Sequence, residues 1–397
     1  MKKTNTDKKN ANKALLLATL ALMINFWAWT LISPLGAKYA DDLSLSPTTL
    51  SFVLAVPIIV GAIGRILLGV ITDKFGGKKV FSVVCFLTVI PVVGLIFARS
   101  FALLVIVGLL LGLGGAIFAV GVPYVSSWFD PEKRGFVIGV YSMGNVGTAV
   151  SGFMTPRLVS SIGQNYTYLL IAGLLAIMGT VFWRFGEESP GWKPQKGSAI
   201  GRMAAACKQS VTWDLSAIYV ITFGAFVAFG VYLPVLLKVA YGLTLTDAAS
   251  RAAGFILLAT VARPVGGWLS DKIGGIRVVK SGLLLIAALA AFVAFQQTLR
   301  SHTTFAYLTL AFVLGCCNGA VFALVGKLTK PESMGSVTGI IGAIGGLGGF
   351  LPPIILGLTY QKTNSYAIAL IMLTFSALAV YFYISKQFRF KKVYKIV

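Results

Sequence analysis

Apolar stretches about 20 residues long, separated by short polar turns, recur twelve times along the chain. They start near Lys13, Ser51, Val80, Phe101, Phe136, Tyr166, Trp213, Ala248, Val278, Thr303, Gly335 and Ser365. At a rise of about 1.5 Å per helical residue, each is long enough to cross a hydrocarbon core roughly 30 Å thick. The pattern predicts an all-α membrane protein of twelve transmembrane helices, with both termini on one side. Between spans six and seven, residues 186–201 (GEESPGWKPQKGSAIG) form the one long polar stretch containing Pro and Gly apart from the tails. The expected organisation is therefore an N-terminal tail (1–12), a six-helix half (13–185), a linker (186–212), a second six-helix half (213–385) and a basic C-terminal tail (386–397).

Composition agrees with that pattern and removes other classes. Hydrophobic residues make up 57% and charged residues 12% of the chain, with a mean hydropathy of +0.86, far from the balance of a water-soluble domain. The net charge of +22 does not indicate nucleic acid, because the bases sit in short loops between apolar spans. Twenty-five Lys and Arg fall on the side of the termini, seven on the other and two within the membrane, which predicts cytoplasmic termini and a multi-pass protein of the cytoplasmic membrane. The basic N-terminus leads into an apolar run, 14–35, too long for a signal-peptide core, so it reads as an uncleaved first helix. The four cysteines have no metal-site or disulfide spacing. No metal ligands, cofactor or catalytic residues are expected, and a single histidine leaves little acid–base capacity for an integral-membrane enzyme. An anion sensor would need an output domain, and the internal loops are too short for one.

The two halves share features in the same order. Arg65-Ile-Leu-Leu-Gly69-Val-Ile-Thr-Asp73-Lys-Phe-Gly-Gly returns as Arg263-Pro-Val-Gly-Gly267-Trp-Leu-Ser-Asp271-Lys-Ile-Gly-Gly, both R-x3-G-x3-D-K-x-G-G. Gly115-Ala-Ile-Phe118-Ala returns as Gly319-Ala-Val-Phe322-Ala. Gly135-x-Val-x-Gly139 with Gly144-Asn145-Val-Gly147 is echoed by Gly335-x-Val-x-Gly339 with Gly345-Gly346-Leu-Gly348. Such parallel repeats predict halves related by a pseudo-twofold axis, with cargo bound between them near the bilayer midplane.

Arg65 and Arg263 lie eight residues before the span-ending aspartate, about 12 Å deep. A cation at that depth costs about 2.5–3.5 kcal/mol on insertion scales, so it needs a counterpart. All twelve acidic residues fall in tails, loops or span ends, which turns the expectation toward a small anionic cargo. A guanidinium fork suits a flat oxyanion better than a lysine's point charge does.

The D-K-x-G-G loops resemble the loop motif of the major facilitator superfamily. Together with the arginines of spans two and eight, GNVGTAVSG in span five and GAIGGLGGFLPP in span eleven, the chain as a whole resembles the nitrate/nitrite porter family. The resemblance implies the major facilitator fold and secondary transport of nitrate and nitrite by alternating access; no enzymatic activity and no cofactor are expected, and the protein is expected to act as a monomer in the lipid bilayer. It implies Arg65, Arg263, Phe118, Asn145, Tyr219 and Phe223 as the anion-binding residues. Phe118 and Phe223 read as flat walls for a planar ion or as ordinary packing, and Asn145 as an anion donor or an interhelical hydrogen-bonding residue.

The glycine-rich segments, with Gly144, Gly147, Gly345, Gly346 and Gly348, read as places where spans five and eleven pack closely and bend, with Pro156 and Pro352-Pro353 beyond them. Asp73 and Asp271 are expected to act as latches through bases such as Lys133, Arg134, Lys327 or Lys330. With no intramembrane titratable group evident, exchange of nitrate for nitrite is one mode and nitrate–proton symport the other. Two arginines by themselves fit small organic anions such as formate or oxalate equally well.

Overall fold

The computed structural model describes residues 5–45, 47–194, 198–295, 298–330, 333–350, 352, 355, 359, 363 and 365–390. Pro353, Glu332, the ends of both tails and residues 195–197 of the expected linker lie outside them. Ten stretches among the described residues are helical, long and apolar enough to cross a membrane. One of these, Ser250–Ala294, contains two expected spans, and the shorter Met334–Gly348 lies where the eleventh was expected.

The chain forms two compact units. One comprises Met1–Pro131, Val140–Lys208 and Lys330–Ala343, the other Glu132–Gly139, Gln209–Thr329 and Ile344–Val397. The first contains α1 (Asn5–Trp29), the short α2 (Gly36–Asp42), α3 (Pro47–Phe75), α4 (Gly77–Gly94), α5 (Phe101–Ala116) and α6 (Phe118–Ser126). Span five is α7 (Arg134–Ser142), whose residues up to Gly139 belong to the second unit, followed by α8 (Val146–Ile162), and span six is α9 (Gln164–Phe185). In this unit α3 packs on α5 and α4 on α9, around fully buried Leu31, Val53, Val92, Leu104, Leu111, Ile171 and Leu175. The expected linker contains a short helix, α10 (Ala199–Cys207), started by Ser198, whose hydroxyl accepts from the Gly201 N–H.

The second unit contains α11 (Ser210–Tyr241), α12 (Leu245–Leu269), α13 (Gly275–Ala294), α14 (Ser301–Leu328), the far end of α15 (Met334–Gly348) and α16 (Ala367–Phe390). There α14 packs on both α12 and α13, and α13 on α16. Large apolar side chains such as Leu67, Ile90, Phe305 and Phe375 stay exposed, as expected of helices whose outer surface meets lipid.

Two spans are interrupted in mid-course. Span four breaks at Ile117 between α5 and α6, and span five passes through a 3₁₀ turn, Met143–Asn145, between α7 and α8. Such mid-helix 3₁₀ turns often mark a hinge. The equivalent stretch of span ten, α14, runs unbroken, so the repeat does not extend to this detail.

The repeated motif has a clear backbone origin. The first glycine of each D-K-x-G-G has a positive φ, 84° at Gly76 and 93° at Gly274, and starts the next span, a conformation other residues rarely adopt. Gly69 and Gly267 serve close approach instead: a Cβ on Gly69 would meet the Gly335 carbonyl, and one on Gly267 the Gly135 carbonyl. Gly339 and Gly139 likewise lie against the backbone of Arg65 and of Arg263–Pro264. The glycines of R-x3-G and G-x-V-x-G thus hold α3 against α15 and α12 against α7 at backbone contact, which fixes the level of each arginine.

Candidate functional site

Both arginines are buried, with 2% of Arg65 and 1% of Arg263 exposed. In the first unit Arg65 Nη1 donates to the Gly342 carbonyl of α15 at 2.8 Å, and Nε to the Gly115 carbonyl of α5 at 3.3 Å. Carbonyls orient the fork and leave its charge intact. A Cβ on Gly342 would stand 2.9 Å from Arg65 Cδ, so this approach depends on glycine. The guanidinium carbon lies 5.7 Å from the centre of the Phe118 ring, at the start of α6. Tyr141 lies 5.6 Å from that ring, and its hydroxyl donates to the Ile117 and Phe118 carbonyls at 3.3 and 3.2 Å, bracing the break in span four.

Asn145 closes the 3₁₀ turn of span five. Its Nδ2 donates to the Ser142 carbonyl at 2.7 Å, so one amide hydrogen holds the turn. Gly144 and Gly147 pack against Leu22 and Met23 of α1, with no room for a side chain, which accords with the close-packing reading of that segment.

In the second unit the Arg263 guanidinium carbon lies 5.8 Å from the Phe223 ring centre and 4.9 Å from that of Phe226, both on α11. Tyr219 stacks on Phe223 at 4.7 Å with planes 9° apart, and Phe322 of α14 meets Tyr219 edge-on at 4.9 Å. An electron-rich ring face attracts the cation without neutralising it. Gly345 and Gly348 of α15 abut Tyr219 and Val220, and Gly346 is buried. The structure therefore brings Arg65 to Phe118 in one unit, and Arg263 to Phe223 and Phe226 in the other, with Tyr219 stacked on Phe223.

The two aspartates act on helix starts. Asp73 accepts from the Gly335 and Ser336 N–H groups at 3.0 Å each and from the Ser336 hydroxyl at 2.7 Å, at the start of α15. None of the bases expected to latch Asp73 makes these contacts, because the first N–H groups of a helix already present donors and positive potential. Arg202 of α10 acts on Asp73 electrostatically and donates to the Val70 carbonyl at 3.3 Å. Asp271 accepts from the Phe136 N–H of α7 at 2.9 Å and pairs with Lys327 at 3.2 Å. Here the expected base is present. The Asp271 segment, Ser270–Gly274, is a π-helical turn, a form that recurs at functional positions.

The loop after α9 is anchored within the first unit. Glu188 accepts from the Lys78 N–H at 2.7 Å and so caps α4. Burial raises its carboxyl above the usual value, while the Lys78 and Gly77 N–H groups pull it back.

Sequence reasoning missed Phe226, Ser336, Tyr141 and the role of Gly342. Phe226 had a signal, since it stands three residues after Phe223 on the same helical face. Ser336 directly follows a motif glycine.

Residues 18–353 match the profile of the Major Facilitator Superfamily. The chain is 44% identical to the probable nitrate/nitrite transporter NarK2 of Mycobacterium tuberculosis over 368 residues, 92% of this chain and 93% of the relative. It is 38% identical to the nitrite extrusion protein of Bacillus subtilis, covering 91% of each. It is 33% identical to the probable nitrate/nitrite antiporter NarK1 of Thermus thermophilus, covering 88% of this chain and 85% of the relative. Among solved structures the human organic anion transporter MFSD10 superposes with a TM-score of 0.77 at 15% identity, over 94% of this chain and 99% of that one. At that identity the likeness speaks for the fold alone.

Proposed function

This chain belongs to the Major Facilitator Superfamily, in its nitrate/nitrite porter family, and from that premise we propose that it is a secondary transporter exchanging nitrate for nitrite across the cytoplasmic membrane. The carrying observation is the pair of buried arginines at matching positions of a repeated motif, each set against an aromatic wall. Relatives of nearly the same length bear the names of nitrate and nitrite transporters.

In this reading Arg65 and Arg263 hold the anion. Phe118, Phe223 and Tyr219 give the flat, weakly polar surroundings in which a planar ion is preferred and water excluded, and Asn145 offers its remaining amide hydrogen. A bound anion stabilises a buried guanidinium at low dielectric, so the loaded protein changes sides more readily than the empty one, which favours exchange. The aspartate caps on α15 and α7 break and re-form during that change, and the glycines at 144, 147, 345, 346 and 348 let spans five and eleven move. The excess of bases on the termini side supports cytoplasmic termini, and in this reading each copy works alone.

Proteoliposomes give the test. Vesicles preloaded with nitrite are expected to take up labelled nitrate rapidly, anion-free vesicles poorly, and external formate not to compete. Equal uptake into anion-free vesicles under an imposed proton gradient contradicts exchange and favours symport.

A further inference from the structure

One buried amide in the second unit has a setting that the motifs did not single out. Asn318 stands on α14 immediately before Gly319, the glycine whose missing Cβ leaves room for the Arg263 carbonyl. It is 1% exposed, and neither Oδ1 nor Nδ2 has a hydrogen-bond partner among the described residues. Other buried asparagines in the spans are differently placed: Asn145 donates to the Ser142 carbonyl and Asn25 to the Ala21 carbonyl. A fully buried amide whose hydrogen bonds are unmade destabilises the fold, so its presence calls for a ligand or another explanation.

The direction of Asn318 follows from its neighbours on the helix. Two side chains of α14 meet α11: Tyr307, whose ring is 6.3 Å from Phe229, and Phe322, edge-on to Tyr219 at 4.9 Å. Positions 307, 311, 314, 318 and 322 recur at helical spacing, so Asn318 shares that face, one turn from Phe322. The two contacts show α14 and α11 running antiparallel, and interpolating between them puts Asn318 level with about residue 222 of α11. Thr222 is itself fully buried, and its hydroxyl also lacks a partner. Three other buried threonines of the spans, Thr72, Thr88 and Thr260, return the hydroxyl to the carbonyl four residues back, whereas Thr338 of α15 shares the unpartnered state of Thr222. Two unsatisfied polar side chains thus stand level with each other, Asn318 on α14 and Thr222 on α11, the helix whose Phe223 and Phe226 lie against Arg263.

We propose that Asn318 is a substrate-contacting residue, supported by Thr222, and that it sets the preference between nitrate and nitrite. The proposal rests on the anion-transport reading above. An oxyanion held by Arg263 offers acceptors only, so the amide turns Nδ2 toward it and Oδ1 toward the Thr222 hydroxyl. A neutral donor adds a hydrogen bond without adding charge. Nitrate has three oxygens to satisfy and nitrite two, so loss of this donor weakens nitrate more than nitrite.

The experiment compares Asn318→Leu, Asn318→Ala and Asn318→Ser with Arg263→Lys in proteoliposomes, measuring KM for nitrate and for nitrite and thermal stability in detergent. The expected result for the Leu and Ala variants is a rise in nitrate KM of about tenfold or more, the value of one hydrogen bond to a charged group. Nitrite KM rises less, the Ser variant recovers part of the loss, and stability is unchanged or higher. Unchanged KM for both ions in the Leu and Ala variants overturns the proposal. Should Leu not fold, Ala and Ser carry the comparison. Loss of nitrate transport in Arg263→Lys alongside normal Asn318 variants refutes this inference alone, whereas normal transport in Arg263→Lys refutes the reading beneath it.

Discussion

Removing the Ser336 hydroxyl tests how the D-K-x-G-G motif works. Asp73 is 5% exposed and accepts three hydrogen bonds from two consecutive residues. Ser336→Ala deletes only the 2.7 Å hydroxyl bond, a charge-assisted one worth about 1.5–3 kcal/mol. Asp73→Ala leaves two N–H groups at the start of α15 without their acceptor and withdraws a negative charge from the positive end of the helix. At about 1–3 kcal/mol per stranded donor, a loss on the order of 3 kcal/mol or more is expected. In the Asp73→Ala background, Ser336→Ala has little left to remove, so the double-mutant cycle returns a coupling of about 1.5 kcal/mol or more. The assay is thermal unfolding of the four detergent-purified proteins, read as melting temperatures alongside nitrate uptake. Additive shifts, or a Ser336→Ala melt identical to wild type, refute the claim that the aspartate acts by capping α15.

Three further outcomes follow from the same geometry. Gly267→Val forces a side chain into the Gly135 carbonyl and separates α12 from α7, so loss of folded protein by size-exclusion chromatography is expected, whereas Gly173→Val, with open space around it, folds normally. Phe226→Leu removes a ring 4.9 Å from the Arg263 guanidinium and lowers nitrate affinity by roughly the 0.5–2 kcal/mol of a cation–π contact, measurable by direct binding. Because burial raises the Glu188 carboxyl, its contribution to stability is fullest below the usual glutamate value of 4.5 and declines as pH rises through the raised value. Glu188→Gln keeps an acceptor for the Lys78 N–H, so melting temperature against pH is expected to lose part of its downward slope in that variant.

The spans, the repeat and the buried arginines were legible in the sequence because each is written in local composition or in a motif that occurs twice. Apolar run length gives a span, and R-x3-G-x3-D-K-x-G-G, written twice, gives the repeat and the depth of its arginines, whereas the close backbone approach and positive φ of its glycines came only with the structure. What was not legible depends on partners distant in the chain. Ser336 acquires its role from an aspartate 263 positions away. Phe226 is one of 27 phenylalanines in a chain where phenylalanine is the ordinary filler of a span. The breaks at Ile117 and at Met143–Asn145 leave the apolar pattern uninterrupted, since a change of helix type needs no change of hydropathy. At Asp73 the structure shows a helix start in place of the lysines the sequence suggested: aligned N–H donors meet the carboxylate, and the base acting on it is Arg202.

The proposed function depends on buried guanidinium forks that recognise a flat oxyanion, and nitrate binding to the purified protein tests this most directly. Arg65→Lys and Arg263→Lys each keep the positive charge and lose the fork. Each single substitution is expected to abolish measurable nitrate binding while leaving the melting temperature close to that of the parent chain, and wild-type affinity in either variant contradicts the account.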